Sequence, residues 1–226
     1  IIVDLIGHGD TPSPNCDEQY RTDAMVKQLN SVVADLTDFY LLGYSMGGRV
    51  ALNYALQCQN RVSGLILIGA TCGIEDERER QIRQQADNRL ADDILSDGIE
   101  VFVNRWSRTP IIRSQMNIER RYLTSMQLRR LNNNPIGLAK TLKNFGTGTM
   151  PSIWRRVHEI DVPTLLFSGA EDKKFTEIAH LMEDRMPRAK SVIVEEAGHT
   201  AHLEQPEQFM NKLNCFSNII GFGCVH

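Results

Sequence analysis

Ser45 is the residue of this 226-residue chain whose surroundings most clearly predict chemistry. It stands in Gly43-Tyr44-Ser45-Met46-Gly47-Gly48-Arg49, directly after an apolar run at residues 39–42. A serine between glycines at the end of a strand is typical of a sharp strand-to-helix turn that exposes Oγ, because small residues relieve steric crowding there. A glycine–serine turn that only closes a strand would have a similar pattern. Residues elsewhere in the chain distinguish these two interpretations.

Two later segments supply the partners that a reactive serine needs. An apolar run at residues 164–167 leads to Asp172, and another at residues 191–194 leads to His199. The carboxyl ends of parallel strands converge on one crevice, so these side chains can meet Ser45 although they are distant in sequence. An imidazole that accepts the serine proton, and is itself oriented by a carboxylate, activates the hydroxyl. We therefore predict a catalytic triad of Ser45, Asp172 and His199.

Each partner has a neighbour of the same chemical type. Glu171 adjoins Asp172 and is an alternative acid, which we interpret as a solvated residue. His202 follows His199 by three residues and is interpreted as a capping or supporting histidine. His199 is preferred because a glycine precedes it at the end of a strand. His8 lies in a glycine turn after an apolar run, where a structural role is expected.

The elements that must position these residues alternate between two patterns. Short apolar runs rich in branched side chains have the character of strands buried on both faces. They cover residues 1–5, 39–42, 65–68, 164–167 and 191–194. Apolar residues at helical spacing intervene, for example at residues 22–36 and after the serine turn. The alternation predicts an α/β fold with a mostly parallel, doubly wound sheet.

The strand-like runs stop between residues 75 and 150, where helical spacing takes over. We interpret this segment as a helical lid inserted into a core formed by residues 1–74 and 151–226. Such a lid can close over the carboxyl ends of the strands and exclude water. The glycines and proline of residues 146–151 predict its hinge.

Composition excludes several classes of protein. A formal charge of −3 gives no reason to expect nucleic acid or an anionic membrane as a partner. The five cysteines are scattered without a Cys-x-x-Cys pair, so neither disulfides nor a zinc site is predicted, and a reducing cytoplasm is expected. No apolar run approaches the roughly 18 residues of a membrane-spanning helix. Neither a dinucleotide glycine fingerprint nor a ligand cluster occurs, so no cofactor or metal is predicted.

Several further motifs, in their order and spacing, resemble one enzyme family. They are Arg83-Gln84-Gln85, Arg105-Trp106, Arg130-Leu131-Asn132-Asn133-Asn134, Gly146-Thr147-Gly148, Asp172-Lys173-Lys174-Phe175 and His202-Leu203-Glu204-Gln205-Pro206. Together with the serine motif, they are similar to the 2-succinyl-6-hydroxy-2,4-cyclohexadiene-1-carboxylate synthases of menaquinone biosynthesis, a family of the α/β-hydrolase superfamily. The resemblance extends to about residue 209, and the order serine, acid, histidine is that of this superfamily.

The resemblance implies an elimination rather than a hydrolysis. The family's substrate is an enolpyruvyl cyclohexene carboxylate with a succinyl group, which loses a ring proton and then enolpyruvate. Ser45 would act as the base, and the N–H of Met46 would meet the negative charge on the succinyl carbonyl. The chain would then be a cytoplasmic lyase without a cofactor, in menaquinone or phylloquinone biosynthesis.

The implied substrate carries three carboxylates, which the chain can bind with cations. Guanidinium groups bind carboxylates through two parallel hydrogen bonds. The serine motif itself places Arg49 near Ser45, whereas the other contacts depend mainly on the resemblance. For any one arginine the alternative is a solvated helix face, and for an aromatic residue it is core packing. The predicted substrate contacts are Tyr44, Arg49, Arg83, Trp106, Arg130 and Lys174.

Two other functions stay open. One is a serine-dependent carboxylester or carbon–carbon bond hydrolase, whose pocket for a neutral ester would be apolar rather than cationic. The other is an inactive binding module of the same fold.

The family's sheet has three strands ahead of the run at residues 1–5, and its third strand separates that run from residues 39–42. None of them stands in this sequence, so the resemblance predicts an N-terminally incomplete core without the loop that carries the second oxyanion donor. We expect these residues alone to be poorly stable and nearly inactive. At the other end, residues 214–226 depart from the expected closing helix, and no function is assigned to them.

Overall fold

The computed structural model of the protein describes residues 1–219, the last four by their backbone alone. Its strands are β1 (Phe39–Tyr44), β2 (Val62–Ile68), β3 (Thr164–Gly169) and β4 (Ala189–Val194). Its helices are α1 (Thr22–Val32), α2 (Met46–Cys58), α3 (Glu77–Asp97), α4 (Ile99–Trp106), α5 (Arg120–Leu131), α6 (Pro135–Phe145), α7 (Lys173–Arg185), α8 (Ala201–Glu204) and α9 (Pro206–Ile219). Short 3-10 segments lie at Asp17–Tyr20, Gln59–Arg61, Pro110–Asn117 and Val157–Glu159.

The four strands form one parallel sheet in the order β1-β2-β3-β4. In the register of this sheet, Tyr44 pairs with Ile68, Ile68 with Phe167, and Phe167 with Val192. The carboxyl ends of all four strands therefore lie along one edge. The segments that follow β1, β3 and β4 begin at this edge, and they carry Ser45, Asp172 and His199.

The central strands consist of apolar residues because both of their faces are covered. On one face, alternate residues of the strands pack against α8 and α9, in a core that contains Ile66, Ile68, Leu165, Phe167, Val192, Val194, Ala201 and Phe209. On the other face, Leu67 and Leu166 approach Ala179 and Met182 of α7. Helices on both faces are the arrangement predicted for a doubly wound sheet.

Four of the five predicted strands are confirmed, but the strand predicted at residues 1–5 is wrong. The carbonyl of Asp4 accepts hydrogen bonds from Thr11 Oγ1 and Gln28 Nε2, and the carbonyl of Leu5 accepts the N–H of His8. Side chains and a turn thus satisfy these groups, and none of the described strands pairs with the segment. An apolar run becomes a strand only where a neighbouring strand pairs with its main chain.

The chain forms two compact units. One contains residues 1–34, 73–109 and 124–154, and the other contains residues 35–72, 110–123 and 155 onward. The sheet with α2, α7, α8 and α9 belongs to the second unit, whereas α1, α3, α4 and α6 belong to the first. No strand occurs at residues 75–150, in agreement with the helical pattern there. The lid itself stays a prediction.

Two other segments refine the predictions. Helix α1 ends at Val32 rather than at residue 36, since the N–H of Ala34 turns back to Ser31 O. Within the first unit, Gly148 lies against the backbone of α3 at Gln84, so close packing explains this glycine. The hinge at residues 146–151 stays a prediction.

Helix α9 continues to Ile219, so the departure from a closing helix predicted for residues 214–226 is not seen in its first six residues. Residues 220–226 lie outside the described part of the chain. No helix within residues 1–219 is both long enough and apolar enough to cross a membrane.

Candidate active site

Ser45 lies at the turn between β1 and α2, in a backbone conformation that serine seldom adopts. Its φ is +50° and its ψ is −106°. The turn is held at both sides, because the Ser45 N–H donates to Ile68 O over 2.7 Å and Ser45 O accepts the N–H of Arg49 over 3.2 Å. A positive φ strains any residue with a Cβ by about 1–3 kcal/mol. The chain thus keeps a strained serine at the carboxyl edge of the sheet.

The glycines of this motif have different roles. A Cβ at Gly43 would lie 2.6 Å from Gly47 O and from two backbone atoms of Gly48. A Cβ at Gly48 would lie 2.6 Å from the Cβ of Ala70. At Gly47 a Cβ would meet nothing within 4 Å. The tight turn therefore requires Gly43 and Gly48, and the sequence pattern was wrong to treat Gly47 as sterically necessary.

The structure brings Ser45, His199 and Asp172 together within the second unit. His199 Nδ1 lies 2.7 Å from Asp172 Oδ2, and His199 Nε2 lies 3.0 Å from Ser45 Oγ. Because a carboxylate oxygen only accepts, Nδ1 carries the proton and Nε2 is left to accept the hydrogen of the serine hydroxyl. This is the geometry in which an imidazole can remove a proton from serine.

Local structure fixes Asp172 and the His199 ring. Asp172 caps the N-terminus of α7, where its Oδ1 accepts the N–H of Phe175 over 3.4 Å. The His199 ring is 4 % exposed, and it packs against Phe175 and Tyr44 with centroid distances of 4.5 and 5.4 Å. Gly69, with a φ of +55°, gives the ring its space, since a Cβ there would lie 2.7 Å from His199 Cε1. No local pattern in the sequence indicated this role of Gly69.

The alternative acid and the alternative histidine occupy other positions. Glu171 is exposed, and its N–H donates to Ala197 O. His202 packs against the rings of Tyr44 and Phe209, at centroid distances of 4.9 and 6.1 Å. Its Nδ1 is buried without a hydrogen-bond partner among the described residues. Burial, and to a smaller extent the charge of His199, lower the pKa of His202 from its usual 6.5 to about 4.

The predicted substrate contacts are divided between the two units. Tyr44, Met46, Arg49 and Lys174 belong to the unit of the triad, and Arg83, Trp106 and Arg130 belong to the other. In that other unit, Arg83 Nε donates to the buried Asp87 Oδ1 over 2.8 Å, Trp106 stacks on Phe102, and Arg130 contacts Met126 Sδ. Their role toward a substrate stays a prediction.

The residues nearest the triad offer three features for substrate binding. Arg49 is in the first turn of α2, four residues after Ser45, whereas Lys174 is exposed at the start of α7. Met46 is the first residue of α2, and its N–H therefore precedes the intrahelical hydrogen bonds. A cavity of about 430 Å³ is lined by His199, Asp172 and residues of the 3-10 segment Pro110–Asn117. Among residues 1–219, no three His, Cys, Asp or Glu side chains converge as metal ligands.

The chain is similar in sequence and in fold to several known proteins. Residues 1–206 match the family model described as the alpha/beta hydrolase fold. A Bacillus subtilis (strain 168) protein, provisionally named a 2-succinyl-6-hydroxy-2,4-cyclohexadiene-1-carboxylate synthase, is 42 % identical over 92 % of this chain and 77 % of its own. The synthase of that name from Escherichia coli (strain K12 / DH10B) is 30 % identical over 91 % of this chain and 78 % of its own. The solved structure of MenH from S. aureus superposes with a TM-score of 0.91 at 35 % identity, over 97 % of this chain and 83 % of that one.

The steric difference between Gly43 and Gly47 predicts opposite effects of the same substitution. Gly43→Ala should lower the free energy of unfolding by about 1–3 kcal/mol, since its Cβ forces the turn apart. Gly47→Ala is the matched control, and it should be neutral or slightly stabilising because alanine favours a helix. Urea denaturation of both variants measures the difference. Equal stabilities of the two variants would contradict this account of the turn.

The lowered pKa of His202 predicts a pH dependence of stability. Between pH 6.5 and about 4 the unfolded chain binds a proton at this ring that the folded chain does not bind, so stability falls as the pH decreases. The loss should total about 3 kcal/mol, and it should disappear about one pH unit above 6.5, where the ring is neutral in both states. His202→Phe should remove this part of the dependence. Identical slopes for the wild type and His202→Phe in denaturation at several pH values would disprove it.

Proposed function

Because this chain belongs to the α/β-hydrolase fold family and, within it, to the 2-succinyl-6-hydroxy-2,4-cyclohexadiene-1-carboxylate synthases, we propose that it is a lyase that eliminates pyruvate from 2-succinyl-5-enolpyruvyl-6-hydroxy-3-cyclohexene-1-carboxylate. The product is 2-succinyl-6-hydroxy-2,4-cyclohexadiene-1-carboxylate, an intermediate of menaquinone or phylloquinone biosynthesis. The observation that carries the proposal is the 42 % identity to a relative named for this synthase, and the hydrogen-bonded chain from Ser45 Oγ through His199 to Asp172 would supply the base.

In this reaction Ser45 serves as a base. His199 Nε2 accepts the proton of the Ser45 hydroxyl, and the serine oxygen takes a proton from the substrate ring. The electron pair of that C–H bond moves through the ring, a carbon–oxygen bond breaks, and enolpyruvate leaves. The leaving group takes the proton held by the His199 imidazolium and becomes pyruvate, which returns His199 to its neutral form. Asp172 stabilises the imidazolium that forms. No bond to the serine forms, so the reaction needs no water as a second substrate.

The negative charge that develops on the succinyl carbonyl needs hydrogen-bond donors. The N–H of Met46 is suited to this role because it is the first of α2 and the partial positive charge of the helix N-terminus adds to its field. A donor of this kind acts on the transition state more than on the substrate. It therefore favours departure of enolpyruvate.

The three carboxylates of the substrate require cations. Arg49 is the first of them, since it is in the first turn of the helix that follows Ser45. We extend the set to Lys174 in the same unit, with Tyr44 as a pocket wall. Substrate contacts by Arg83, Trp106 and Arg130 of the other unit stay predictions from the resemblance. Arg83 already pairs with Asp87, so a substrate carboxylate would share this guanidinium with a buried acid. We also infer a cytoplasmic location from the five cysteines, which follow no disulfide pattern.

Ser45→Ala should abolish the reaction, since the base is removed while the fold is kept. With the enolpyruvyl substrate, pyruvate release by the full-length protein should fall by about 10³-fold or more. Ser31→Ala, at an exposed position of α1, is the matched control and should retain wild-type release. Substantial release by Ser45→Ala would exclude the serine as base. Ester turnover by the wild type without any pyruvate release would favour the hydrolase instead.

Arg49 should contribute to binding through its fork of donors as well as its charge. Arg49→Met should lower kcat/KM by a factor that corresponds to about 2–4 kcal/mol of lost transition-state stabilisation. Arg49→Lys should restore only part of this loss, because lysine keeps the charge and loses the bidentate geometry. Arg78→Met, at an exposed position of α3, is the control. Steady-state kinetics of pyruvate release distinguish the variants. Wild-type kinetics for Arg49→Met would remove this residue from the substrate site.

A further inference from the structure

One buried carboxylate, that of Glu204, holds the main chain on both sides of His199. Its Oε2 accepts the N–H of Gly198 over 2.7 Å, and its Oε1 accepts the N–H of Thr200 over 2.9 Å. These residues immediately precede and follow His199. Glu204 is 8 % exposed, so the two bonds form largely out of contact with water, where they are strongest.

A third donor reaches the same carboxylate from another segment. Ser114, in the 3-10 segment Pro110–Asn117, donates its hydroxyl to Glu204 Oε1 over 3.1 Å. Three donors therefore converge on the two oxygens. A carboxylate can accept at both of its oxygens, whereas a glutamine of the same size places an N–H₂ donor at one of them. The arrangement is specific for an acid rather than for any polar side chain of this length.

Thr200, the residue after His199, is also held through its side chain. Thr200 Oγ1 accepts a hydrogen bond from Gln115 Nε2 over 2.5 Å, and it lies 3.0 Å from the hydroxyl of Tyr44. Tyr44 is the residue before Ser45. The His199 loop is thus connected through Thr200 to the strand that presents the serine, and through Glu204 to its own helix α8.

We propose that Glu204 is a positioning residue for the proposed elimination, acting on His199 through the main chain of Gly198 and Thr200. By fixing this loop, it keeps Nε2 at 3.0 Å from Ser45 Oγ and Nδ1 at 2.7 Å from Asp172 Oδ2. The proposal rests on the function proposed above for Ser45 and His199. A displacement of about 1 Å in such a site can lower a rate by about 10²-fold.

Glu204→Gln tests the proposal, because it keeps the size of the side chain and places an N–H₂ group where a carboxylate oxygen accepts a hydrogen bond. We expect kcat for pyruvate release to fall at least about tenfold while KM changes less than about twofold, as expected for loss of alignment rather than of substrate contacts. Glu207→Gln, at an exposed position of the next helix, is the matched control and should equal the wild type. A folded Glu204→Gln with the wild-type kcat would overturn the proposal.

The tautomer of His199 gives a second measurement that needs no substrate. Long-range ¹H–¹⁵N NMR through the non-exchanging ring protons should show the Nδ1–H tautomer in the wild type and a mixture of tautomers in Glu204→Gln. An unchanged tautomer in a folded Glu204→Gln would overturn the positioning role even if pyruvate release by this variant fell. A changed tautomer in Glu204→Gln, together with no pyruvate release by the wild type, would support the positioning role and contradict the proposed function.

Ser114→Ala covers the case in which Glu204→Gln does not fold. It removes one of the three donors and keeps both bonds to the main chain. We expect kcat to fall about two- to fivefold, with a detectable shift of the His199 ring resonances. Wild-type kcat with unshifted resonances in this variant would likewise overturn the proposal.

Discussion

The hydrogen bond between His199 and Asp172 is the contact on which the site depends. It fixes the ring tautomer, and this tautomer decides that Nε2 can accept a proton from Ser45. All three side chains start from loops at one edge of one parallel sheet, within a single unit of the chain. Strand pairing therefore brings three residues that are far apart in the sequence close together in space. The elements around the sheet then have to hold the three loops in their relative positions to within a fraction of an ångström.

Close approach of backbone to side chain is the means by which the loops stay in register. Gly69 admits the His199 ring, Gly43 and Gly48 allow the serine turn, and Gly198 allows Ser114 to approach the His199 loop. Protein interiors are packed too densely for an added methyl group to be absorbed at such points. The geometry of the site therefore depends on the space that these glycines leave as much as on the three side chains of the triad.

The sequence predicted those parts that have a local pattern. Alternating apolar runs and helical spacing predicted all four strands of the described sheet, and the glycine–serine turn predicted the position of Ser45. The strand at residues 1–5 failed because an apolar run does not reveal whether another strand pairs with it. Gly69, Ser114 and Glu204 were missed because their importance comes from contacts between segments, such as the 90 residues that separate Ser114 from Glu204. The signal available for Glu204 was its place in the motif His202-Leu203-Glu204-Gln205-Pro206, five residues after the selected histidine.

The strained backbone of Ser45 has an evolutionary consequence. Glycine adopts a positive φ without penalty, so a serine-to-glycine change at this position relieves strain and at the same time removes the reactive hydroxyl. Selection for stability alone would favour the loss of this serine. The presence of a serine in this conformation, at a cost in stability, is what we expect where the hydroxyl is needed for the proposed chemistry.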